Sequence, residues 1–250
     1  MGRTPDRSRV KAVDTTLDIV NHLHQVGTAS IEEVAESVGI GTSTAHRHLT
    51  TLHERGYVVR EENEYELSLR FLTHGGRRRE TLPANEQIHR KVRQLSKDTS
   101  ERVQFITEEH GDRVYMYTHA GPDAVKTDAT IGKRGPLHVS AAGKAILANL
   151  PTDRQKQILD DTVPPATDER AALDEELETI RERGYAFNDQ ESTSGLRAVG
   201  VPVRCENETV LGAISVSGPA NRLTGEYFRK ELPNLLLGTV NEIELNIEYL

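Results

Sequence analysis

Residues 31–56 constrain the fold of this chain more than any other stretch. Apolar side chains recur at helical spacing through residues 31–38, and Gly39 then interrupts the pattern where a glycine can adopt a left-handed backbone. A second stretch with helical spacing follows, and the small side chain of Ala35 allows two helices to cross closely. The pattern predicts a helix-turn-helix.

The second of these helices has two chemically different faces. Ala45, Leu49 and Leu52 form the apolar face, and Thr42 or Ser43 is the predicted N-cap. The other face suits contacts with base edges and phosphates in a major groove. The residues predicted to contact DNA are Thr42, Ser43, Thr44, His46, Arg47, Thr50 and Thr51. The alternative is an ordinary helical hairpin, because outward Ser, Thr and Arg are common on helices.

A β-hairpin is predicted directly after the second helix, where two β-prone segments within residues 57–67 flank a polar turn at Asn63. A hairpin in this place is a wing. Three glutamates around the turn repel phosphate groups, and these are Glu61, Glu62 and Glu64. We therefore expect a mainly structural wing, with Arg60 as its one DNA contact.

The helix before the helix-turn-helix is predicted to run from about Asp14, as its N-cap, to Val26. Its predicted buried residues share one helical face and are Val13, Leu17, Val20 and Leu23. Residues 1–11 are polar and basic, which is typical of a mobile tail.

The distribution of charge is compatible with DNA binding by the first part of the chain. The formal net charge is −8, but residues 1–80 hold 11 Lys and Arg against 12 Asp and Glu. The other 20 and 27 lie in residues 81–250. Because local patches attract a phosphate backbone, the basic clusters of the first part matter more than the net charge. They contain Arg3, Arg7, Arg9 and Lys11, and then Arg77, Arg78 and Arg79.

Nothing in the sequence indicates a membrane-spanning protein or a secreted protein. No apolar run approaches the roughly 20 residues needed to cross a bilayer, and the N-terminus lacks the apolar core of a signal peptide. A single cysteine, Cys205, fits a reducing compartment. These features predict a soluble, cytoplasmic protein with no membrane partner.

A linker helix is predicted from residue 67 to about residue 79, interrupted by Gly75 and Gly76. Two adjacent glycines weaken a helix, so we expect a hinge there. The predicted DNA-binding domain therefore covers residues 1–74. The linker and a second domain cover residues 75–250.

The second domain alternates predicted strands and helices. Strands are predicted at residues 102–107, 113–119, 198–204 and 210–217, and helices at 85–98, 140–149, 153–160, 171–183 and 225–249. In the first of these helices the predicted buried row is Ile88, Val92 and Leu95. The mixture predicts an α+β fold with a central, mainly antiparallel sheet and helices packed around it.

The sequence contains no convincing catalytic, metal or cofactor motif. Gly143-Lys144 fails the phosphate-loop pattern, which requires Gly at the position of His138 and Ser or Thr at that of Ala145. No Cys and His set has zinc spacing, and nothing supports Cys205 as a nucleophile. We expect no enzyme activity and no cofactor. The rivals are a metabolic enzyme with a regulatory DNA-binding module and a dimerisation module without a ligand.

The second domain does contain the elements of a small-molecule pocket. Ser140 begins a predicted helix of small residues, whose first N–H groups can bind a carboxylate or another anion. Ser215 and Ser217 are two residues apart on a strand, so both hydroxyls face one side, and Asn188 adds an amide. The alternative is that these side chains only satisfy local backbone groups.

Several spaced motifs resemble the isocitrate-lyase-regulator (IclR) family of transcription factors, and together they span nearly the whole chain. In the first domain they are Thr44-Ala-His-Arg-His-Leu49, Gly56-Tyr-Val58 and Tyr65-Glu-Leu67. In the second they are Leu137-His-Val-Ser-Ala-Ala-Gly-Lys-Ala-Ile-Leu147, Arg183-Gly-Tyr185, Glu191 with Gly195-Leu-Arg197, Val201-Pro-Val203 and Gly212-Ala-Ile-Ser-Val-Ser-Gly-Pro219.

The resemblance implies a winged helix-turn-helix joined to a GAF-like effector-binding domain. It implies a homodimer, or a homotetramer built as a dimer of dimers, that binds palindromic operators in double-stranded DNA and represses or activates metabolic genes. Small organic acids, sugars or aromatics would control it. The positions that match the family's effector contacts are Ala141, Ala142, Asn188, Leu196, Ala198, Ser215 and Ser217. Glyoxylate- and pyruvate-responsive members have an acid at the position of Asn188 and a cysteine at that of Ala198, which favours a different, sugar-derived or aromatic effector here.

Overall fold

The computed structural model describes residues 9–205 and 209–248. They form two compact units that divide between Arg78 and Arg79. The boundary predicted after residue 74 falls in the same helix as this division, Arg70–Glu80. Residues 1–8, which hold most of the predicted tail, and residues 206–208, between the strands predicted at 198–204 and 210–217, lie outside the described residues.

The first unit contains helices around a small antiparallel sheet. The helices are α1 (Lys11–Val26), α2 (Ile31–Val38), α3 (Thr42–Glu54) and α4 (Arg70–Glu80), the last of which contains the division. The strands are β1 (Thr28–Ser30), β2 (Val58–Glu61) and β3 (Glu64–Leu67), in the order β1-β3-β2. The hairpin β2–β3 is the wing. The short strand β1, which the sequence reasoning missed, extends it to three strands.

The turn between α2 and α3 forms as the glycine pattern predicts, but the cap of α3 differs. Gly39 ends α2 with a left-handed φ of 70°. The N-cap of α3 is Gly41, not Thr42 or Ser43, and the Gly41 carbonyl accepts hydrogen bonds from Thr44 N at 2.8 Å and Ala45 N at 3.0 Å. Because the backbone of Gly41 makes the cap, the hydroxyls of Thr42 and Ser43 remain outside it.

Helix α1 begins three residues before its predicted cap, and only Val20 and Leu23 of its predicted buried row pack against the core. It starts at Lys11, and Ile19 and Leu23 are its buried residues. Val13 and Leu17, predicted to be buried, are each 54% exposed. Apolar residues lie on more than one face of α1, and the core of this unit takes only the face that contains Ile19.

Helix α4 is continuous through Gly75 and Gly76, so the predicted interruption is wrong. Neither glycine has a positive φ. A glycine costs only about 1 kcal/mol in a helix, which lowers its stability without breaking it.

The second unit is a three-layer α+β domain around an antiparallel sheet of six strands. The strands are β4 (Arg102–Glu109), β5 (Asp112–Ala120), β6 (Arg134–Pro136), β7 (Ala186–Asp189), β8 (Leu196–Arg204) and β9 (Val210–Pro219), in the order β6-β5-β4-β9-β8-β7. The helices are α5 (Asn85–Asp98), α6 (Ala141–Asn149), α7 (Thr152–Thr162), α8 (Asp168–Arg183) and α9 (Leu232–Glu248), and a π-helical turn (Tyr227–Glu231) precedes α9.

Each face of this sheet carries its own hydrophobic core. On one face, α5 and α9 pack over a cluster that includes Phe105, with Ile88, Val92 and Leu95 of α5 buried as predicted. On the other face, α6, α7 and α8 pack over a cluster that includes Ile106. Adjacent residues of β4 point to opposite faces of the sheet, so this strand contributes Phe105 to one core and Ile106 to the other. The α6 side of the sheet also holds a cavity.

Candidate nucleic-acid interface and ligand cavity

Helix α3 presents the predicted polar face to solvent. Ala45 and Leu49 are fully buried. Six of the seven predicted DNA contacts on α3 are exposed and Thr50 is half-buried; the exposed six are Thr42, Ser43, Thr44, His46, Arg47 and Thr51. Within the described ranges the Arg47 guanidinium has no acid partner, so its charge is open to a phosphate or a base.

A groove beside α3 adds Arg55, which the sequence analysis did not include, and Lys11, which it placed only in the basic N-terminal cluster. It is lined by Lys11, Arg47 and Arg55, together with small polar residues of α1 and α3. A hydrogen bond of 2.8 Å between Thr16 Oγ1 and His48 Nδ1 joins these two helices. Lys11 and Arg55 lie at the ends of their helices, and only the packing of α1 on α3 brings them to one groove.

The wing residue Arg60 is exposed but already bound to its own hairpin. Its Nε donates to the Glu62 carbonyl at 2.9 Å, and its guanidinium lies 5.5 Å from the centroid of the Tyr65 ring. The three glutamates of the wing are exposed beside it. A DNA contact by Arg60 requires release of these contacts and stays a prediction.

A cavity of about 370 Å³ lies in the second unit and is lined by residues of β4, β5, β8, β9 and the start of α6. All eight predicted effector positions line it, and these are Ser140, Ala141, Ala142, Asn188, Leu196, Ala198, Ser215 and Ser217. The sheet register brings several together, because Ala198 pairs with Ser217 and Gln104 pairs with Ser215. Their role in binding stays a prediction, but the structure places them around one space.

The start of α6 forms part of the wall of this cavity. Ser140 is the N-cap, and its hydroxyl accepts a hydrogen bond from Gly143 N at 3.1 Å. The N–H groups of Ala141 and Ala142 belong to the first helical turn, where no intrahelical acceptor exists. Gly200 of β8 lets α6 approach the sheet, since a Cβ at this position would lie 2.5 Å from Ala141 C.

The polar side chains of the cavity differ in how far they are already satisfied. Asn188 is buried, and its amide nitrogen donates to the Val139 carbonyl at 2.9 Å. This donor therefore satisfies a nearby backbone group, which is the alternative to a role in ligand binding. Ser215 donates to Gln104 Oε1 at 3.1 Å. Ser217 has no hydrogen-bond partner within the described part of the chain. Its hydroxyl is therefore open to a ligand.

The sequence reasoning missed the part of the cavity wall that comes from β4 and β5. Gln104 and Ile106 line it from β4, and Arg113 and Tyr115 line it from β5. The members of each pair are two positions apart, so both face one side of the sheet. This period of two is visible in the sequence, but it does not say which side of β5 meets the cavity.

Two ion pairs at the cavity margin lower the pKa of their acids. The pKa of Asp189 is lowered mainly by a side-chain hydrogen bond from Arg197, at 2.7 Å. A hydrogen bond from Lys133 lowers the pKa of Asp128 in the same way. Burial lowers the pKa of His138; the negative charge of Glu169 opposes this shift, and the positive charge of Arg113 adds to it.

Residues 9–205 and 209–248 contain no group of three or more His, Cys, Asp and Glu side chains placed to hold a metal ion. None of their helices combines the length and the apolar character needed to span a membrane. Cys205 Sγ donates to the Thr209 carbonyl at 3.4 Å at a strand end.

Two family models match this chain in order. The model of the IclR helix-turn-helix domain matches residues 12–62, and that of the bacterial transcriptional regulator IclR C-terminal domain matches residues 80–245. A probable HTH-type transcriptional regulator ArcR from Halobacterium salinarum is 29% identical over 96% of this chain and 95% of its own length.

Solved structures agree with this match. The IclR of Thermotoga maritima has a TM-score of 0.76 and 28% identity, over 96% of this chain and 98% of its own. An IclR homologue from Microbacterium hydrocarbonoxydans, complexed with 4-hydroxybenzoate, has a TM-score of 0.78 over 93% of this chain and 98% of its own. At 18% identity, the second structure supports the fold alone.

Proposed function

The chain belongs to the IclR family of DNA-binding transcriptional regulators, and from this premise we propose that it binds palindromic operators of metabolic genes as a homodimer or a dimer of dimers. A small organic acid or sugar-derived effector in the α6 cavity controls that binding. The outcome is repression or activation of the target genes, in the cytoplasm.

The observation that carries this proposal is the exposed face of α3. Arg47 stands there without an acid partner in the described ranges, between the exposed hydroxyls of Ser43 and Thr44 and that of Thr51. The buried Ala45 and Leu49 fix the rotation of the helix, so this face is available to a major groove.

The test of the DNA-binding part is Arg47→Ala in the full chain. Genomic fragments captured by the purified protein supply the operator. If Arg47 reads a base, the substitution costs about 1–3 kcal/mol of operator affinity and relaxes preference at one position of the site. Equal weakening on all sequences, with a shallower salt dependence, would assign Arg47 to a phosphate instead.

Arg134→Ala is the matched control, because Arg134 is an exposed arginine of β6 in the other unit. It removes the same charge far along the chain from α3. Operator affinity equal to that of Arg47→Ala would show that net charge, and not the face of α3, determines binding.

Effector control is supported by the cavity, which Ser217 and the first residues of α6 line together. A volume of about 370 Å³ lies within the roughly 300–1,000 Å³ range of small-molecule pockets. The effector shifts the population between two arrangements of the second unit, and the linker around Gly75 and Gly76 passes this shift to the recognition helices. A coupling of about 1–3 kcal/mol changes operator affinity about 5–150-fold.

A thermal-shift screen with sugar acids, oxo acids and hydroxybenzoates tests this control. Compounds that raise the unfolding midpoint are then added to the operator-binding assay, where a change in affinity is expected. A ligand that is converted to a product would favour the rival enzyme. A protein that no compound stabilises would favour the dimerisation module.

Self-association is supported by apolar side chains that the first unit leaves exposed. Val13 and Leu17 lie four residues apart on α1, and Leu69 and Leu72 lie at and near the start of α4; all four are more than half exposed. A two-fold dimer presents two recognition helices about 34–36 Å apart, one turn of DNA.

A further inference from the structure

Arg113 is a charged residue of the cavity that no predicted effector contact includes. Its Nη1 donates to the Pro136 carbonyl at 2.9 Å, and its Nε is buried without a hydrogen-bond partner in the part of the chain that the structure describes. The guanidinium lies against Gly135, its cross-strand neighbour on β6. A half-buried guanidinium with an open donor is suited to bind an anion.

The other cations of the cavity wall are already neutralised. Arg197 is paired with Asp189, and Lys133 with Asp128. Glu191, which also lines the cavity, is paired with Lys144 at 2.6 Å. Within residues 9–205 and 209–248, Arg113 forms no ion pair. Arg113 is therefore a cation of the cavity wall that has no acid partner in the described ranges.

The same cavity contains a second group of anion-binding donors. The N–H groups of Ala141 and Ala142 open the nine-residue helix α6 beside it, and the Ser217 hydroxyl lines it without a partner in the described ranges. These donors come from α6 and β9, whereas Arg113 comes from β5. Since both sets line one cavity, a ligand with a single acidic group leaves one set without an anion.

We propose that the effector carries two anionic groups, such as a dicarboxylate or a phosphorylated acid, with one group at the start of α6 and the other on Arg113. This inference rests on the proposed function of the cavity as the effector site. A volume of about 370 Å³ is at the small end of the range for ligand pockets, so it favours a compact diacid.

The experiment compares matched probes on the full chain by calorimetry and thermal shift. Each pair differs by one acidic group: gluconate and glucarate, pentanoate and glutarate, lactate and 3-phosphoglycerate. In the wild type, at least one diacid binds more tightly than its monoacid. Arg113→Gln weakens the binding of that diacid about 10–100-fold, because a charge-assisted pair is lost. The weaker binding of the monoacid stays as it was.

Two further variants keep the outcome interpretable. Arg134→Gln removes an equal charge from the next strand. Arg134 pairs with Glu109 and Asp112 and does not line the cavity. The Arg134→Gln variant is therefore expected to bind the diacid as tightly as the wild type does. Arg113→Lys keeps the charge but loses the planar donor set, so an intermediate affinity is expected even where Arg113→Gln fails to fold.

The possible results separate this inference from the proposed function. If monoacids or neutral ligands bind as tightly as diacids, or if Arg113→Gln binds the diacid as the wild type does, the inference is wrong while the effector site stands. If no probe of any class binds, the proposal that this cavity is the effector site is wrong as well.

Discussion

Lys144 belongs to α6, and its side chain is only 1% exposed although it forms two ion pairs. Its ammonium contacts Glu176 of α8 at 2.7 Å and Glu191 at 2.6 Å. Glu191 in turn accepts a hydrogen bond from Asp189 N at 3.1 Å. Lys144 therefore ties α6 to α8 and to the segment after β7 that lines the cavity. The lysine that follows Gly143 therefore forms these two ion pairs and does not belong to a phosphate loop.

Lys144→Met is expected to destabilise the second unit by about 1–3 kcal/mol. The methionine fills most of the space of the lysine stem but leaves two carboxylates close together without their cation. Both carboxylates are at least a third exposed, so water limits the cost. Urea unfolding of the full chain measures this loss of unfolding free energy. The control is Lys156→Met, at an exposed lysine of α7, whose unfolding free energy is expected to stay within about 0.5 kcal/mol of wild type. Equal stability of both variants would contradict a structural role for Lys144.

The residues of the cavity show how far a single sequence reaches. Ser215 and Ser217 follow from the period of two in a strand, and the start of α6 from its N-cap Ser140. Arg113 does not follow, because the register between β4 and β5 shifts at a bulge between Phe105 and Ile106. A shift of one residue turns every later side chain to the other face, so the wall formed by β5 is known only from the structure.

At the scale of elements, strong periodicity gives reliable predictions and short or mixed elements do not. The strands β8 and β9 and the helices α5 and α8 lie where the sequence places them. The strand β6 has three residues, Arg134–Pro136, and contains glycine and proline, which are rare in strands. The π-helical turn before α9 and the exposed apolar face of α1 depend on tertiary packing, which local spacing does not determine.

Gly75 and Gly76 of α4 have no packing reason to be glycine, since a Cβ at either position meets no atom within 4 Å. Gly75→Ala and Gly76→Ala are each expected to stabilise α4 by about 0.5–1 kcal/mol. If the proposed hinge uses this flexibility, the double variant also shows a smaller effector-dependent change in operator affinity. Circular dichroism and chemical unfolding measure the first effect, and the operator assay measures the second.

Gly39→Ala is the control of opposite sign, because the left-handed φ of 70° at Gly39 costs alanine about 1–2 kcal/mol. An unchanged effector response in a stabilised double variant would separate the glycines from signalling and leave them as helix-weakening residues only.

At the scale of the whole molecule, reading a palindrome requires two copies of α3, and each chain has one. The part of α1 that its own unit leaves unburied supplies a candidate contact, since Val13 and Leu17 share a face four residues apart. Burial of a leucine side chain contributes about 1.5–3 kcal/mol, and a two-fold axis uses the same side chain twice. The exposed stripe that contradicted the predicted packing of α1 is thus explained if a second chain covers it.

Leu17→Gln tests this explanation. Its expected effect is about a 10–100-fold loss of affinity for the full palindrome, from the lost apolar burial, with unchanged affinity for an isolated half-site. Sedimentation measures whether the Leu17→Gln dimer dissociates at a higher protein concentration than the wild-type dimer does. Leu245→Gln, at an exposed leucine of α9 in the other unit, serves as the control. If Leu17→Gln binds the palindrome like the control, the contact between the DNA-binding units lies elsewhere. If it weakens half-site binding equally, its effect is on α3 and not on association.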